Sequence, residues 1–245
     1  MARIYCPDTL VTGQSLTLPR EASRHIQVLR LQPGLSITLF NGQGGEYEAI
    51  IDAMGRQAVD VTVGSHHPVE REPTGHVHLA VCMPANERMD WLVEKATELG
   101  VQHITPLMGQ RNVVRLSGER AEKRRAHWTA IAIGACEQSG RNRLPQIDVP
   151  IELGRWLGFQ SREDSGLPVA HRVILSLADA APEPTPARHQ ATRVLIGPEG
   201  GFSSDEEALA IEHGFKPHRM GTRVLRTETA AIAATLAFSD RLSLK

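Results

Sequence analysis

"LIGPEGGF", residues 195–202, leaves an apolar run and enters a loop of three glycines and one proline. The residues before the loop, "RVLI", have the β-branched and aliphatic character of a buried strand. Those after it, "SSDEEALAIEHG", carry a capping box (Ser203 with Glu206), then apolar Ala208, Leu209 and Ile211, and Gly214 as a stop. The unit is therefore strand, loop, helix. Backbone N–H groups at a helix start attract anions, which makes phosphate the first ligand to consider. Yet the loop lacks the lysine and Ser/Thr of a P-loop, is not G-x-G-x-x-G, and carries Glu199. A ligand without phosphate, and partly cationic, fits it better. A tight turn with no ligand is the alternative.

Working outward, residues 76–245 alternate strand and helix. "HVHLAVCM" is a strand. "NERMDWLVEKATELG" is a helix with Asn86 as N-cap, apolar Met89, Leu92, Val93, Ala96 and Leu99, and Gly100 as terminator. "VQHITPL" is the next strand, and a long helix runs from Ser117 to Ser139 with Trp128, Ile131, Ala135 and Cys136 on its apolar side. "RVILSLAD" and "RVLIG" are further buried strands, and "RTETAAIAATLAF" is a final helix capped by Thr227. Such alternation builds a mainly parallel α/β sheet, with its ligand at the carboxyl ends of the strands. Residues 178–191 read as an irregular excursion. The first 65 residues differ. They hold five short strands and one helix, "PREASRHIQVLRL", which suggests a small barrel, and residues 64–75 read as a linker.

Composition narrows the function. The chain has 245 residues, 41% of them hydrophobic, enough for a substantial core. Aromatics are only 4%, which argues against recognition by base stacking alone, and the net charge of -1 means that any nucleic-acid partner is held by a local patch. Cys6, Cys82 and Cys136 lie far apart without metal spacing, as in a reduced cytoplasmic setting. "MARIYCPDTL" at the start has no apolar signal core, and no run is long enough to span a membrane. His76 and His78 alternate on one strand with no third ligand nearby in sequence, so no metal is expected.

Charge is concentrated between residues 111 and 143, where eight Lys or Arg face three acids. The segment is either a solvated helix face or a phosphate-tracking surface. Arg141 and Arg143 flank Asn142 just after a helix stop at Gly140, a loop suited to phosphate or base contacts. In "MGTRVLRTETAAIAA", residues 220–234, Glu228 lies in a first helical turn, where the dipole favours a carboxylate. Arg226 stands just before that turn, where the dipole opposes a cation, and this points to an outside anion.

Together, "LIGPEGGFSSDE" and "MGTRVLRTETAAIAA" resemble the signature of the small-subunit ribosomal RNA uridine-N3 methyltransferases, the RsmE family of the SPOUT class. The likeness extends to "ERMDWLVEKATELGVQHITPL", "WTAIAIGACEQSGRNRLP" and "RHIQVLRL". It implies a PUA-like β-barrel over residues 1–70 that binds RNA, and an α/β SPOUT domain over 74–245 whose C-terminal segment forms a trefoil knot. It also implies a homodimer, 16S ribosomal RNA of the small subunit as substrate, and S-adenosylmethionine (SAM) as methyl donor, with no metal. By resemblance the donor site comprises Leu175, Ser176, Leu177, Leu195, Ile196, Gly197, Gly201, Met220, Gly221, Val224, Leu225 and Thr227. Arg226 and Glu228 are the catalytic candidates. The candidate RNA contacts are Arg24, Arg30, Arg111, Arg124, Arg141, Asn142 and Arg143. Ribose 2′-O methylation and a non-catalytic assembly factor are the other readings of the same pattern.

Overall fold

The computed structural model describes residues 1–85, 87–160, 171–176 and 191–239, so Asn86 and Leu177, with most of the excursion, lie outside it. The chain divides into Met1–Glu72 with Ile133–Leu144, and Pro73–Ala132 with Pro145–Lys245. Among the described residues no helix is long and apolar enough to cross a membrane.

In the first unit, strands form where aliphatic residues alternate with polar ones. β1 (Arg3–Tyr5), β2 (Ser15–Thr17), β3 (Ser36–Phe40), β4 (Glu46–Met54) and β5 (Val59–His67) make one sheet in the order β1-β3-β4-β5-β2. Only β1 and β3 pair in parallel. Val59, Val61 and Val63 of β5 point into the core and meet Ala49 and Ile51 of β4. Register shifts at Tyr47/Ala49 and Ile51/Ala53 add local twist to this pair. α1 (Arg20–Val28) buries Ala22, Ser23 and Ile26. Ser23 Oγ donates to the Leu18 carbonyl (3.0 Å) and accepts from Val59 N (3.1 Å), which ties the helix to β5. The helix stops one turn earlier than its apolar pattern suggests, leaving Leu29 exposed and Arg30 in a left-handed conformation (φ 56°).

Residues 64–75 are not a free linker. β5 continues to His67, and the next acids are built into the first unit. Glu70 Oε1 accepts from Gly45 N (2.7 Å), Arg71 donates to Glu46 and to the Gly140 carbonyl, and Glu72 holds Arg141 through Nε (3.0 Å) and Nη2 (2.6 Å). This corrects the reading of Arg141 and Asn142 as RNA contacts on an open loop. Arg141 is 3% exposed and Asn142 is fully buried. Asn142 donates to the Val69 carbonyl (2.6 Å) and accepts from Arg3 Nη2 (2.6 Å). The reason is electrostatic: an arginine placed among Glu46, Glu70 and Glu72 is drawn to the carboxylates of its own unit. Arg143, half exposed, pairs with Glu70 (3.2 Å).

Two predictions follow from this network. Arg141→Ala leaves the Glu72 carboxylate without its partner and should cost about 3 kcal/mol of stability, read by denaturant unfolding. Arg71, with Arg3 beside it, holds the Glu46 carboxyl at about 2 against its ordinary 4.5. The stability from Glu46 is therefore present above pH 4.5 and lost as pH falls toward 2. Glu46→Gln should be less stable than wild type at pH 7, and the gap should close across that window.

The second unit is a parallel sheet covered on both faces. β6 (His76–Cys82), β7 (His103–Met108), β8 (Gln146–Ile147), β10 (His171–Leu175), β11 (Ala191–Ile196) and β12 (Lys216–His218) lie in the order β12-β10-β11-β6-β7-β8, with β9 (Ile151–Glu152) paired to β7. Every pairing in it is parallel. On one face Val77, Leu79, Val81, Val173, Val194 and Ile196 pack against α2 (Glu87–Glu98) and α6 (Thr227–Phe238), together with Trp128 of α3 (Gly118–Ser139). On the other, Ala80, Cys82, Ile174 and Leu195 meet Trp156 and Leu157 of α4 (Leu153–Gln160) and Ala210 of α5 (Ser204–Glu212). Near-continuous apolar strands such as "HVHLAVC" are what two covered faces require.

Candidate functional site

β10 and β11 end side by side, and beyond them the chain opens a cavity of about 530 Å³. The loop after β11 turns tightly. Gly201 N donates to the Pro198 carbonyl (2.8 Å), and Gly201 has φ 69°, a conformation that favours glycine. The capping box is present as read: Glu206 N donates to Ser203 Oγ (3.2 Å) and Ser203 N donates to Glu206 Oε2 (2.8 Å). Glu206 is buried, and its other oxygen accepts from Gln110 N (2.7 Å).

The segment from Met220 to Arg226 forms the opposite wall. Thr227 is not the cap of the last helix. The N-cap is Arg226, whose side chain makes no capping bond, and the Thr227 hydroxyl donates instead to the Gly197 carbonyl (3.0 Å). That bond fastens the tail to the glycine loop. Leu175, Ser176, Ile196, Gly197, Gly201, Met220, Val224, Leu225 and Thr227 all line the cavity. Leu195 faces the core on the α4–α5 side, and Gly221 stands outside the lining at an exposed turn. A Cβ on Gly197 would meet the Phe202 ring at 3.1 Å, so this position is closed by the loop's own aromatic.

Arg226 is exposed and lines the cavity, and its side chain makes no hydrogen bond or ion pair to any described residue. Glu228 is placed differently. It is 8% exposed, does not line the cavity, and has Oε1 at 3.9 Å from Arg88 Nε while Oε2 has no partner among the described residues. Arg88 also pairs with Glu199 (3.3 Å), which does line the cavity. The structure thus separates the two catalytic candidates: Arg226 faces the cavity and Glu228 the pair behind its wall. Arg111 lies on the cavity as well, not with Arg124 on the exposed face of α3. Arg24 and Arg30 are exposed in the first unit. Sequence reading missed Arg219 and Arg223, both in the lining; their only signal is that they bracket the Met220–Gly221 turn.

Nucleophilic and metal chemistry find little support. Burial pushes the Cys82 thiol up to about 12 and Cys136 up to about 11, far from a thiolate at neutral pH. The fold does supply His78 with neighbours invisible in sequence: His103 stacks on it at 3.8 Å, and Asp148 brings three ligand-type atoms within 4.8 Å of one another. Arg193 Nε, however, donates to His78 Nδ1 (3.1 Å), which leaves the proton on Nε2, facing Thr105 Oγ1 at 2.8 Å. The Thr105 hydroxyl in turn donates to Asp148 (2.5 Å). Burial, with His103 and Arg193 nearby, holds His78 well below its ordinary 6.5 and hence neutral. A protonated ring nitrogen beside a guanidinium is a poor ligand for a cation.

An apolar cavity with backbone edges at the carboxyl ends of parallel strands, beside a glycine loop without phosphate ligands, suits a nucleoside-like methyl donor. Comparison with known proteins agrees. Residues 70–239 match the model of an RNA methyltransferase domain and residues 18–64 that of an RNA methyltransferase PUA domain. The chain belongs to the RNA methyltransferase family. It is 30% identical to the ribosomal RNA small subunit methyltransferase E of Buchnera aphidicola, over 96% of this chain and 91% of that one. Among solved structures, the ribosomal RNA small subunit methyltransferase E of Neisseria gonorrhoeae bound to S-adenosyl methionine is 37% identical, with a TM-score of 0.88 over 97% and 96% of the two chains. A Legionella pneumophila methyltransferase in complex with SAM is 39% identical, with a TM-score of 0.85 over 96% and 95%. Gly201→Ala tests the geometry of the loop. No atom lies within 4 Å of a Cβ there, so only backbone strain opposes the change. The expected loss is about 1–2 kcal/mol by denaturant unfolding, with weaker donor binding.

Proposed function

We propose that this chain transfers the methyl group of SAM to N3 of a uridine in 16S ribosomal RNA of the small subunit. The observation that carries the reading is the cavity itself, walled by the glycine loop and the 220–227 tail, with an unpartnered arginine on its rim. The residues suit the donor. Leu175, Ile196, Leu225 and Ala230 give an apolar bed, and backbone N–H and C=O groups of the loop can meet an adenine edge where glycines leave room. Glu199 and Glu207 on the wall tolerate a sulfonium cation. When bound, SAM supplies an electrophilic methyl group.

The protein's remaining work is at the acceptor. Uracil N3 carries a proton at neutral pH, and negative charge spreads over the base carbonyls as that proton leaves. In this reading Arg226, at the N-terminus of α6 and on the cavity lining, stabilises that charge, helped by the helix dipole. Glu228, behind the wall, acts through Arg88 to keep Glu199 in position. A base inside an RNA helix has to be turned out to reach the cavity. Arg24, Arg30 and Arg124 are exposed cations suited to the rRNA backbone, and the PUA-like barrel of residues 1–70 is the RNA-binding module of this reading.

A C-terminal trefoil knot in the SPOUT domain, residues 74–245, is part of the proposal, supported by the tail that Thr227 fastens to Gly197. So is a homodimer, supported by Trp91, Val113 and Val224, large apolar side chains left exposed in the second unit. The reaction belongs in the cytoplasm, with its ribosomal substrate.

Arg226→Ala should lower kcat by roughly 10²–10³ with little change in SAM affinity, and raised pH should partly restore it. Methyl transfer to small subunits, with mass spectrometry of the modified nucleotide, reads both the rate and the site. Full activity would remove Arg226 from the mechanism, and a ribose 2′-O product would replace the N3 reading. SAM binding by calorimetry should survive a chelator, since no step calls on a metal.

A further inference from the structure

Arg111 stands on the loop between β7 and α3, at the start of the basic segment. Its surroundings are not those of a surface cation awaiting phosphate. Nη1 donates to the Gly200 carbonyl at 2.7 Å and to the Phe202 carbonyl at 3.2 Å. Its stem lies over Gly200, where a Cβ would sit 3.4 Å from Arg111 Cδ. The turn that carries the arginine is held from three directions. Gly109 N donates to Asn112 Oδ1 (2.8 Å), the buried Asn112 donates to the Met83 carbonyl (2.8 Å), and Gln110 N donates to Glu206 Oε1 (2.7 Å). The last contact uses the second oxygen of the carboxylate that caps α5. One rigid turn therefore grips the glycine loop at Gly200 and Phe202 and the helix start at Glu206.

The loop needs such a grip. Between Gly197 and Phe202 it has three glycines, and Gly201 sits at φ 69°, so its own side chains do little to restrict it. Carbonyls at 200 and 202 point to one donor only when the intervening glycine keeps that conformation. One nitrogen of the planar, always charged guanidinium, Nη1, selects it with two charge-assisted bonds, one to each carbonyl.

We infer that Arg111 is a positioning residue that holds the 197–202 loop in the shape that accepts the methyl donor. The inference rests on the reading that SAM occupies this cavity. It moves Arg111 from the RNA-contact group to the donor side of the reaction. Without Arg111, the loop's ordering has to be met from the donor's own binding free energy, so the loss falls on SAM affinity.

Calorimetry with SAM on the full chain, comparing wild type with Arg111→Ala and Arg111→Lys, tests this. A 16S RNA fragment titrated over a salt series gives the parallel measurement. Arg111→Ala should weaken SAM roughly tenfold and raise KM for SAM by a similar factor. Arg111→Lys should recover part of the loss, since an ammonium can donate to the same carbonyls but lacks the planar geometry that fixes its N–H directions. KM for RNA and the salt slope should hold in both. SAM affinity unchanged in Arg111→Ala overturns the inference, as does a salt slope reduced by about one unit with SAM binding intact, the mark of a lost phosphate contact. The exposed position of Arg111 makes misfolding of these variants a readable event: a fall in melting temperature that Arg111→Lys does not repair also overturns it. Wild-type protein that binds no SAM would instead overturn the functional reading beneath it.

Discussion

A parallel sheet whose two faces are both covered can reach solvent only at its ends, and this constraint organises the second unit. Val77, Leu79 and Val81 of β6 go to one layer of helices while Ala80 and Cys82 go to the other, so each strand is apolar along most of its length. Polar backbone groups are satisfied within the sheet until the strands stop. At the carboxyl ends of β10 and β11 they become available to a ligand, and the cavity opens there. The glycine loop extends from the end of β11 and the tail from the end of β12, and the Thr227–Gly197 bond joins them. Burial of the sheet thus decides where binding can occur before any side chain decides what is bound.

Charge is handled in two ways in this protein. In the first unit Arg3, Arg71 and Arg141 are matched by Glu46 and Glu72 at hydrogen-bonding distance, and the segment 133–144 is held there by those pairs. Removing one partner from such a network is costly because the other stays buried. Around the cavity the balance is different. Arg111, Arg223 and Arg226 have no carboxylate partner among the described residues, and only Arg111 is used, on backbone carbonyls. Matched charge builds structure in the first unit, Arg111 builds it through carbonyls, and Arg223 and Arg226 stand on the cavity without a carboxylate partner among the described residues. The same residue type reads oppositely in the two places.

Much was legible from local pattern. The strand–loop–helix at 193–214, its capping box and the alternating segments follow from periodicity and turn chemistry, and the resemblance of two linked motifs points to many of the residues that line the cavity. Errors came where a residue's partner lies far along the chain. Arg141 and Asn142 looked like an exposed basic loop because Glu72 and Val69 are about seventy residues away. Residues 64–75 looked like a linker because their composition is polar and proline-bearing, yet those acids are the counter-charges of the first unit. Thr227 looked like a cap, and its hydroxyl is instead spent on a carbonyl thirty residues back.

The sequence by itself determined the alternation of β6, α2, β7, α3, β10, β11, α5 and α6, the apolar faces and the absence of a phosphate loop, since these depend on neighbours within a few residues. It also determined which residue types stand near the site. Tertiary structure alone decided which cations are free. Arg111, Arg141 and Arg226 are alike in sequence, but one clamps a loop, one is buried against Glu72, and one faces the cavity. The fold likewise decided that His78 meets His103, Asp148 and Arg193, and therefore stays neutral. The physical reason is that a charge or a proton takes its meaning from groups within a few ångströms, and in a parallel sheet those groups come from strands far apart in the chain.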